Sequence, residues 1–555
     1  MALDVAQRKG NKKIYTYGPL IHNPQTVEIL KRRGIIPADN IGEIEEGTIV
    51  IRAHGISPLE RKKIEEKNVE IIDATCPKVS RVQAIIKKHA SLGCAILIVG
   101  DRKHPEVEGL LGYSGGKGIV IGNRDEIDGL HDLDKVCVVA QTTQNVEEYS
   151  DVADVITKKF PKTTVFNTIC DSTEKRQAEV KELSSEMDIM FIVGGKNSAN
   201  TKRLARISEL QGTPTFHIET VDDLKKISTG MYEKIGISAG ASTPNWVIER
   251  VVNYLTRYQW DRKKESMRKP LSLWVFTVTT DIYSAIGAGC LSLAGMLLQG
   301  LNVNIGNIMT ASFYVYSMHT LNRFIDRKRS GIISSFREDS YLKHKKAYVS
   351  AAIISLLLAL SLSLLAGPAP FLLLLLISLL GALYNTRILP QNWSFKRLKD
   401  IPGSKNVSMA AAWGIVIAVV PQTGVSLSVT AGTITAFLFT FAVVFVRSAM
   451  HDISDIQSDR LIGRETIPVL IGEENTGKLL KGILSIMAAV LVAAYPAGWT
   501  SSLSFALLPC VFYAWICFRF YDRGTRLSVV TLEGILETNY IIAGLGAFLW
   551  LILVG

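Results

Sequence analysis

The hydrophobic pattern divides the chain in two. From Met1 to about Leu255, short apolar runs alternate with stretches whose apolar positions recur at helical spacing. Ile14–Thr16, Thr48–Arg52, Val69–Ile72, Ala95–Val99, Gly118–Ile121, Val136–Ala140, Ile189–Val193 and Lys234–Ser238 read as strands. Helices are predicted near Gln25–Arg33, over Pro58–Lys67 and over Lys78–Leu92. Such alternation builds parallel sheets covered by helices, so this part is α/β.

From about Leu271 to Gly555 the pattern becomes a series of apolar segments: Trp274–Leu298, Ile305–Leu321, Ala347–Ala366, Phe371–Tyr384, Val407–Val420, Val429–Val446, Leu479–Tyr495, Leu503–Phe518 and Ile535–Val554. A bilayer-spanning helix needs ~20 residues, and this part reads as an all-α membrane domain of about nine transmembrane helices. Thr256–Pro270 between the halves is polar and basic, and reads as a linker. The expected domains are thus 1–255, a linker over 256–270, and 271–555.

Charge sharpens the picture. The connections Gln299–Asn304, Gly367–Pro370, Pro421–Ser428 and Pro496–Ser502 carry no Lys or Arg. Those at Asp326–Lys346, Arg387–Lys405, Arg447–Lys478 and Arg519–Arg526 are rich in both. With positive loops inside, the first half is expected in the cytoplasm and the C-terminus outside, which describes a multi-pass protein of the cell inner (cytoplasmic) membrane. The net charge of +11 is therefore accounted for by membrane topology rather than by nucleic acid, for which no binding motif is seen. Seven cysteines, an odd number at wide spacing, argue against a disulfide scaffold and for a reducing compartment.

The chemically loaded residues of the first half follow the strands. Ala53-His54-Gly55, Asp73-Ala74-Thr75-Cys76-Pro77, His104-Pro105-Glu106-Val107-Glu108-Gly109, Gln141-Thr142-Thr143, Gly194-Gly195-Lys196-Asn197-Ser198-Ala199-Asn200 and Ala239-Gly240-Ala241-Ser242-Thr243-Pro244 all stand there. Ligands of open α/β sheets bind beyond the carboxyl ends of strands, and these hydroxyls, amides, imidazoles and glycines suit a phosphate or diphosphate. Cys94 and Cys137 lie in or beside apolar strands and read as core residues. Cys76 and Cys170 follow strand ends in polar loops, where a redox pair, a zinc half-site or iron–sulfur ligation are all open.

These motifs, together with Tyr17-Gly18-Pro19-Leu20-Ile21-His22-Asn23-Pro24, Arg52-Ala53-His54-Gly55 and Lys196-Asn197-Ser198, occur in one order that resembles the 4-hydroxy-3-methylbut-2-enyl diphosphate reductase (LytB) family from about Ala2 to Leu255. The resemblance implies three α/β lobes around a [4Fe–4S] cluster with one Cys ligand per lobe, fed by a reduced ferredoxin or flavodoxin-type donor. Cys76 and Cys170 match the second and third ligands. His22, His54, His104, Ser198, Asn200 and Ser242 match the diphosphate-binding set. Glu106 matches the proton donor, and Thr142 or Thr143, with Thr143 favoured, the hydroxyl that contacts the substrate alcohol. Ala199 stands where some relatives place a second Ser. The family opens with a strand and a Gly-Phe-Cys turn bearing the first ligand, whereas this chain begins with Ala-Leu-Asp-Val-Ala-Gln-Arg-Lys inside the following helix. The first lobe is thus expected to be incomplete, with the true start upstream. Otherwise the lobe is degenerate, and the reductase domain an inactive scaffold for its partner.

In the second half, Asn322-Arg323-Phe324-Ile325-Asp326-Arg327 and Asp452-Ile453-Ser454-Asp455-Ile456-Gln457-Ser458-Asp459-Arg460 open two of the basic loops. Asp455 and Asp459 share a helix face by spacing. Carboxylates at a membrane-helix mouth are costly, and facing pairs suit Mg²⁺ on a diphosphate. With Tyr384-Asn385-Thr386-Arg387 and Gly463-Arg464-Glu465-Thr466-Ile467-Pro468-Val469, these motifs resemble the UbiA family of intramembrane prenyltransferases. The resemblance implies that Asn322, Asp326, Asp452, Asp455 and Asp459 bind Mg²⁺ and a prenyl diphosphate, with Arg447, Arg387 and Lys405 near the phosphates. Arg323 replaces the family's first Asp, and Ser330 stands at the last Asp position.

Overall fold

The computed structural model describes all residues except 1–12, 21–26, 29, 32–33, 39, 45, 68, 132, 229, 263–264, 331–343, 385–397, 399–400, 402, 457–458, 460–465, 523–528 and 555. The chain forms two compact units, Met1–Val251 and Val252–Gly555.

The first unit is built from three sheets in which every pairing is parallel. β1 (Ile14–Tyr17), β2 (Ile35–Ala38), β3 (Thr48–Ile51) and β4 (Glu70–Asp73) pair in the order β2-β1-β3-β4. β5 (Ala95–Val99), β6 (Gly118–Ile121), β7 (Val136–Ala140) and β8 (Thr163–Phe166) pair as β6-β5-β7-β8. β9 (Ile189–Val193), β10 (Thr215–Ile218) and β11 (Ile235–Ala239) pair as β10-β9-β11. In each lobe the first strand lies between the second and the third, so the chain leaves it toward one edge and returns on the other side. That reversal opens a crevice beyond the carboxyl ends of β1/β3, β5/β7 and β9/β11, where doubly wound sheets bind ligands. The α/β, three-lobed expectation holds for the described residues. β3, β7 and β9 are buried along their whole length, which is why they are almost purely apolar.

Helices follow the strands with local start signals. Ser57 and Glu60 form a reciprocal capping box on Pro58–Glu65. Pro77 and Pro105 occupy the first turns of Pro77–Ser91 and Pro105–Gly112.

The second unit is helical. Five described helices are long and apolar enough to cross a membrane: Lys345–Ala366, Ser404–Thr423, Ala431–Ser454, Glu473–Ala494 and Val530–Leu553. A sixth results if Pro270–Thr279 and Ile282–Leu298 are counted together, but these two meet at 82°. Pro368–Leu383 and Leu503–Phe518 are apolar and shorter. Among the described residues the apolar segments are largely helical, and five or six of these helices qualify as spans by length and composition. The sequence pattern does not show the break in its first segment. The break falls at Asp281, the one non-glycine residue with positive φ (62°) among those described. Of the expected linker, residues 256–262 lie in the helix Asn245–Arg262 and residues 265–270 in the helix Glu265–Thr279. Small residues let helices approach: a Cβ on Gly287 would stand 2.8 Å from the Tyr540 ring, and one on Gly544 2.5 Å from Cys290 Cβ.

Candidate functional site

In the first unit the chemistry gathers at the strand ends. Beyond β5, a Cβ on Gly100 would fall 2.8 Å from Gln141 Cβ, so glycine lets the β5 and β7 exits close up. His104 caps Pro105–Gly112, its Nδ1 accepting from the Glu106 backbone N–H at 3.2 Å. This capping fixes the first helical turn and turns Glu106 inward. Glu106 is 1% exposed. Its carboxylate accepts from Thr142 N at 2.7 Å and from Thr142 Oγ1 at 2.8 Å. Burial pushes its pKa above the ordinary carboxylate value, against the opposing pull of the Thr142 bonds and the Arg203 charge.

The two threonines are thereby distinguished. Thr142 pairs with Glu106. Thr143 Oγ1 instead accepts from Gln141 Nε2 and Arg203 Nη1, both at 3.1 Å. The hydroxyl adjoining the acid is that of Thr142, whereas Thr143, favoured on sequence grounds for the substrate alcohol, faces Gln141 and Arg203.

Contacts between lobes converge here. The His54 and His104 rings meet edge to face, centroids 5.3 Å apart, joining the first lobe to the second. Gly55, with φ +70°, makes the turn after His54, where a Cβ would stand 2.5 Å from Gln83 Nε2. From the third lobe, Arg203 reaches the second, donating to the Thr143 carbonyl at 3.1 Å and to Asp101 Oδ2 at 3.0 Å. Sequence reasoning missed Arg203, which sits in an ordinary helical pattern.

Ser198 caps the helix Ala199–Leu210, accepting from Thr201 N at 3.3 Å. Asn200 is buried, and neither atom of its amide has a hydrogen-bond partner among the described residues. Buried amides are normally satisfied, so this one fits a polar ligand at the helix start. Ser242 stands half-buried just after β11. His22 lies outside the described residues.

Cys76 and Cys170 are free, half-buried thiols at the N-caps of the helices Pro77–Ser91 and Asp171–Glu186. Lys78 pairs with Asp171 at 2.9 Å, so the two helix starts are neighbours. Helix N-termini suit the negative charge of a thiolate-bound cluster. The other cysteines do not join them. Cys94 and Cys137 are packed in an apolar core, burial pushing the Cys137 thiol up to about 12, and Cys290, Cys510 and Cys517 belong to the second unit. Cys76 and Cys170 are thus the two thiols that stand at neighbouring helix starts.

In the second unit, Asp452 is buried near the end of Ala431–Ser454. Its Oδ1 accepts from Lys405 at 2.9 Å, and its Oδ2 has no partner among the described residues. Asp459 is buried and Asp455 half-buried, with His451 Nδ1 3.5 Å from Asp455 Oδ2. A buried carboxylate oxygen left without a partner among the described residues suits a hard cation. No group of three or more His, Cys, Asp or Glu able to hold a metal occurs among the described residues. Asn322 is half-buried. The Asp326 side chain and Arg387 lie outside what is described. Arg447 is not open to solvent: it bonds Glu533 at 2.9 Å and Glu537. Those glutamates and Asp281 were missed, although an acid within an apolar segment is itself a signal.

Residues 1–256 match the family described as LytB protein, and residues 282–532 the UbiA prenyltransferase family. The chain is 42% identical over 263 residues to the 4-hydroxy-3-methylbut-2-enyl diphosphate reductase of Geotalea uraniireducens, covering 47% of this chain and 92% of that protein. It is 43% identical to the enzyme of the same name from Aquifex aeolicus, covering 44% and 86% respectively. A structure of a UbiA homolog from Archaeoglobus fulgidus bound to GPP and Mg²⁺ aligns with 49% of this chain and 99% of its own, at 17% identity and a TM-score of 0.37.

Proposed function

The chain belongs to the LytB protein family over residues 1–256 and carries a UbiA prenyltransferase family domain over residues 282–532, and from that premise we propose a bifunctional isoprenoid enzyme. Its first unit would convert 4-hydroxy-3-methylbut-2-enyl diphosphate to isopentenyl and dimethylallyl diphosphates. Two electrons and two protons replace a C–O bond by C–H and release water. The observation that carries this reading is Glu106, a buried acid set against Thr142 at a strand-end crevice. A carboxyl whose hold on its proton is raised by burial is placed to protonate the departing hydroxyl, with Thr142 orienting it. His54, His104, Ser198, Asn200 and Ser242, with His22, form the proposed diphosphate-binding set. The proposed cofactor is a [4Fe–4S] cluster with Cys76 and Cys170 among its ligands, supplied by a reduced ferredoxin or flavodoxin-type donor.

The second unit would transfer a prenyl group from its diphosphate to an acceptor in the membrane. Asn322, Asp326, Asp452, Asp455 and Asp459 are the residues proposed to hold Mg²⁺ and the diphosphate, and the ion would stabilise the leaving group. Asp452 Oδ2, buried and without a partner among the described residues, supports this. The proposed setting is the inner (cytoplasmic) membrane, crossed about nine times, with the reductase unit in the cytoplasm.

A second reading makes the first unit an inactive scaffold for the transferase. Anaerobic reconstitution with iron and sulfide separates the two. Reductive turnover with a four-iron paramagnetic signal supports the enzyme, and absence of any cluster supports the scaffold. For the second unit, Asp452→Asn should abolish Mg²⁺-dependent transfer; unchanged transfer removes the site assignment.

A further inference from the structure

Five charged side chains of the second unit form a network apart from the residues proposed to hold Mg²⁺. Asp281, Glu533 and Glu537 are buried, at 0%, 5% and 1% side-chain exposure. Arg447 is 11% exposed and Arg323 31%. Arg323 Nη2 lies 2.6 Å from Asp281 Oδ1 and 3.5 Å from Glu533 Oε1. Arg447 Nη2 lies 2.9 Å from the same Glu533 oxygen and also contacts Glu537. Ser284 Oγ donates to Glu537 at 2.5 Å.

The helices involved give this network its meaning. Arg323 directly follows Asn322 on Ile305–Ser330, which carries the first Asp motif. Arg447 stands five residues before Asp452 on Ala431–Ser454, which carries the second. Glu533 is on the last helix, Val529–Leu553, and one of its oxygens receives both guanidinium groups. Burying charge among apolar helices is costly and weak as a source of stability. A shared carboxylate between two motif helices instead fixes their separation.

We propose that Glu533 is a positioning residue that sets the spacing of the two Asp-motif helices through Arg323 and Arg447, and with it the affinity of the site for a prenyl diphosphate. Arg323, which departs from the family's Asp at that position, faces Asp281 and Glu533 and serves this tie rather than the ligand. The inference rests on the prenyltransferase reading above.

The test uses the full chain in detergent, with geranyl diphosphate and Mg²⁺ as the probe. Calorimetric Kd, KM, kcat and the thermal midpoint are measured for Glu533→Gln, Glu533→Asp and Arg323→Lys. Glu533→Gln keeps the shape and removes the charge. Arg323→Lys keeps the charge and removes the fork that reaches two acids. Both should weaken Kd and raise KM about tenfold, with a smaller change in kcat, since displaced binding groups lose affinity steeply with distance. Glu533→Asp should recover part of the loss. Glu474→Gln, which removes only an exposed pair with Lys478, should move nothing. Unchanged Kd and KM in both Glu533→Gln and Arg323→Lys, whatever happens to the thermal midpoint, overturns the proposal. If Glu533→Gln does not fold, Arg323→Lys decides. Binding that needs Asp452 but ignores Glu533 defeats this inference alone, and no binding to the unsubstituted chain defeats it together with the transferase reading.

Discussion

At Glu106, burial raises the carboxyl's hold on its proton above that of a free carboxylate. The sign of the resulting pH dependence follows. A carboxyl with a raised native value binds its proton through a range where the unfolded chain has already lost it. It therefore favours the folded state at low pH, and that contribution is lost as pH rises through the raised value. The same protonation is what a proton donor requires. Reduction should fall as pH climbs past the raised value, and Glu106→Gln should remove that limb together with ~10²–10⁴-fold in rate, read from pH–rate profiles. Thr142→Val deletes the hydroxyl bond to Glu106 but keeps the backbone one. It should slow turnover by roughly tenfold, the worth of one hydrogen bond of ~1.4 kcal/mol, while Thr143→Val, whose hydroxyl bonds Gln141 and Arg203 rather than the acid, should cost less. Rate constants for the two variants side by side check the assignment. Glu106 could be read from the chain because it sits at a strand exit between His104 and Gly109. Which of two adjacent threonines turns inward could not, because that depends on a turn held by Arg203, sixty residues on.

Among the elements, every central strand was legible, but of the edge strands only β4, β6 and β11 were. β5, β6, β7 and β9 fall where their apolar runs do. β2, β8 and β10 escaped notice, and each lies at the edge of its sheet. Thr163-Thr164-Val165-Phe166 shows only intermediate and exposed positions, and β2 contains Pro37, which edge strands tolerate. An edge strand covers less core, so its sequence carries less of the apolar signal. In the second unit, apolar length marked helices correctly but not the 82° break, because Asp281 breaks the helix through a left-handed backbone and a distant ion pair. Asp281→Ala should therefore lower the midpoint of heat unfolding in detergent, because Arg323 keeps only its longer contact with Glu533. Gly55→Ala, at φ +70° beside His54, should cost about 1–2 kcal/mol, measured the same way as a shift in the first unit's transition.

For the whole molecule, the alternation of charged and uncharged loops predicts which surfaces face out. A cysteine introduced by Ser426→Cys, in the uncharged Pro421–Ser428 connection, should be labelled by a membrane-impermeant maleimide in intact cells. One at Lys478, in a basic connection, should be labelled only after lysis. Equal labelling of both contradicts the orientation. Each of the three sheets is assembled from one continuous stretch of sequence: β1–β4 within 14–73, β5–β8 within 95–166 and β9–β11 within 189–239. Synthesis at ~5–20 residues per second therefore releases each sheet complete, in order, before the next. All three have left the ribosome by the time the break at Asp281 and the helix Ile282–Leu298 behind it are translated. A domain already folded at that moment does not thread through a translocation channel, so the order of the chain itself would hold the α/β unit on the side where it is made.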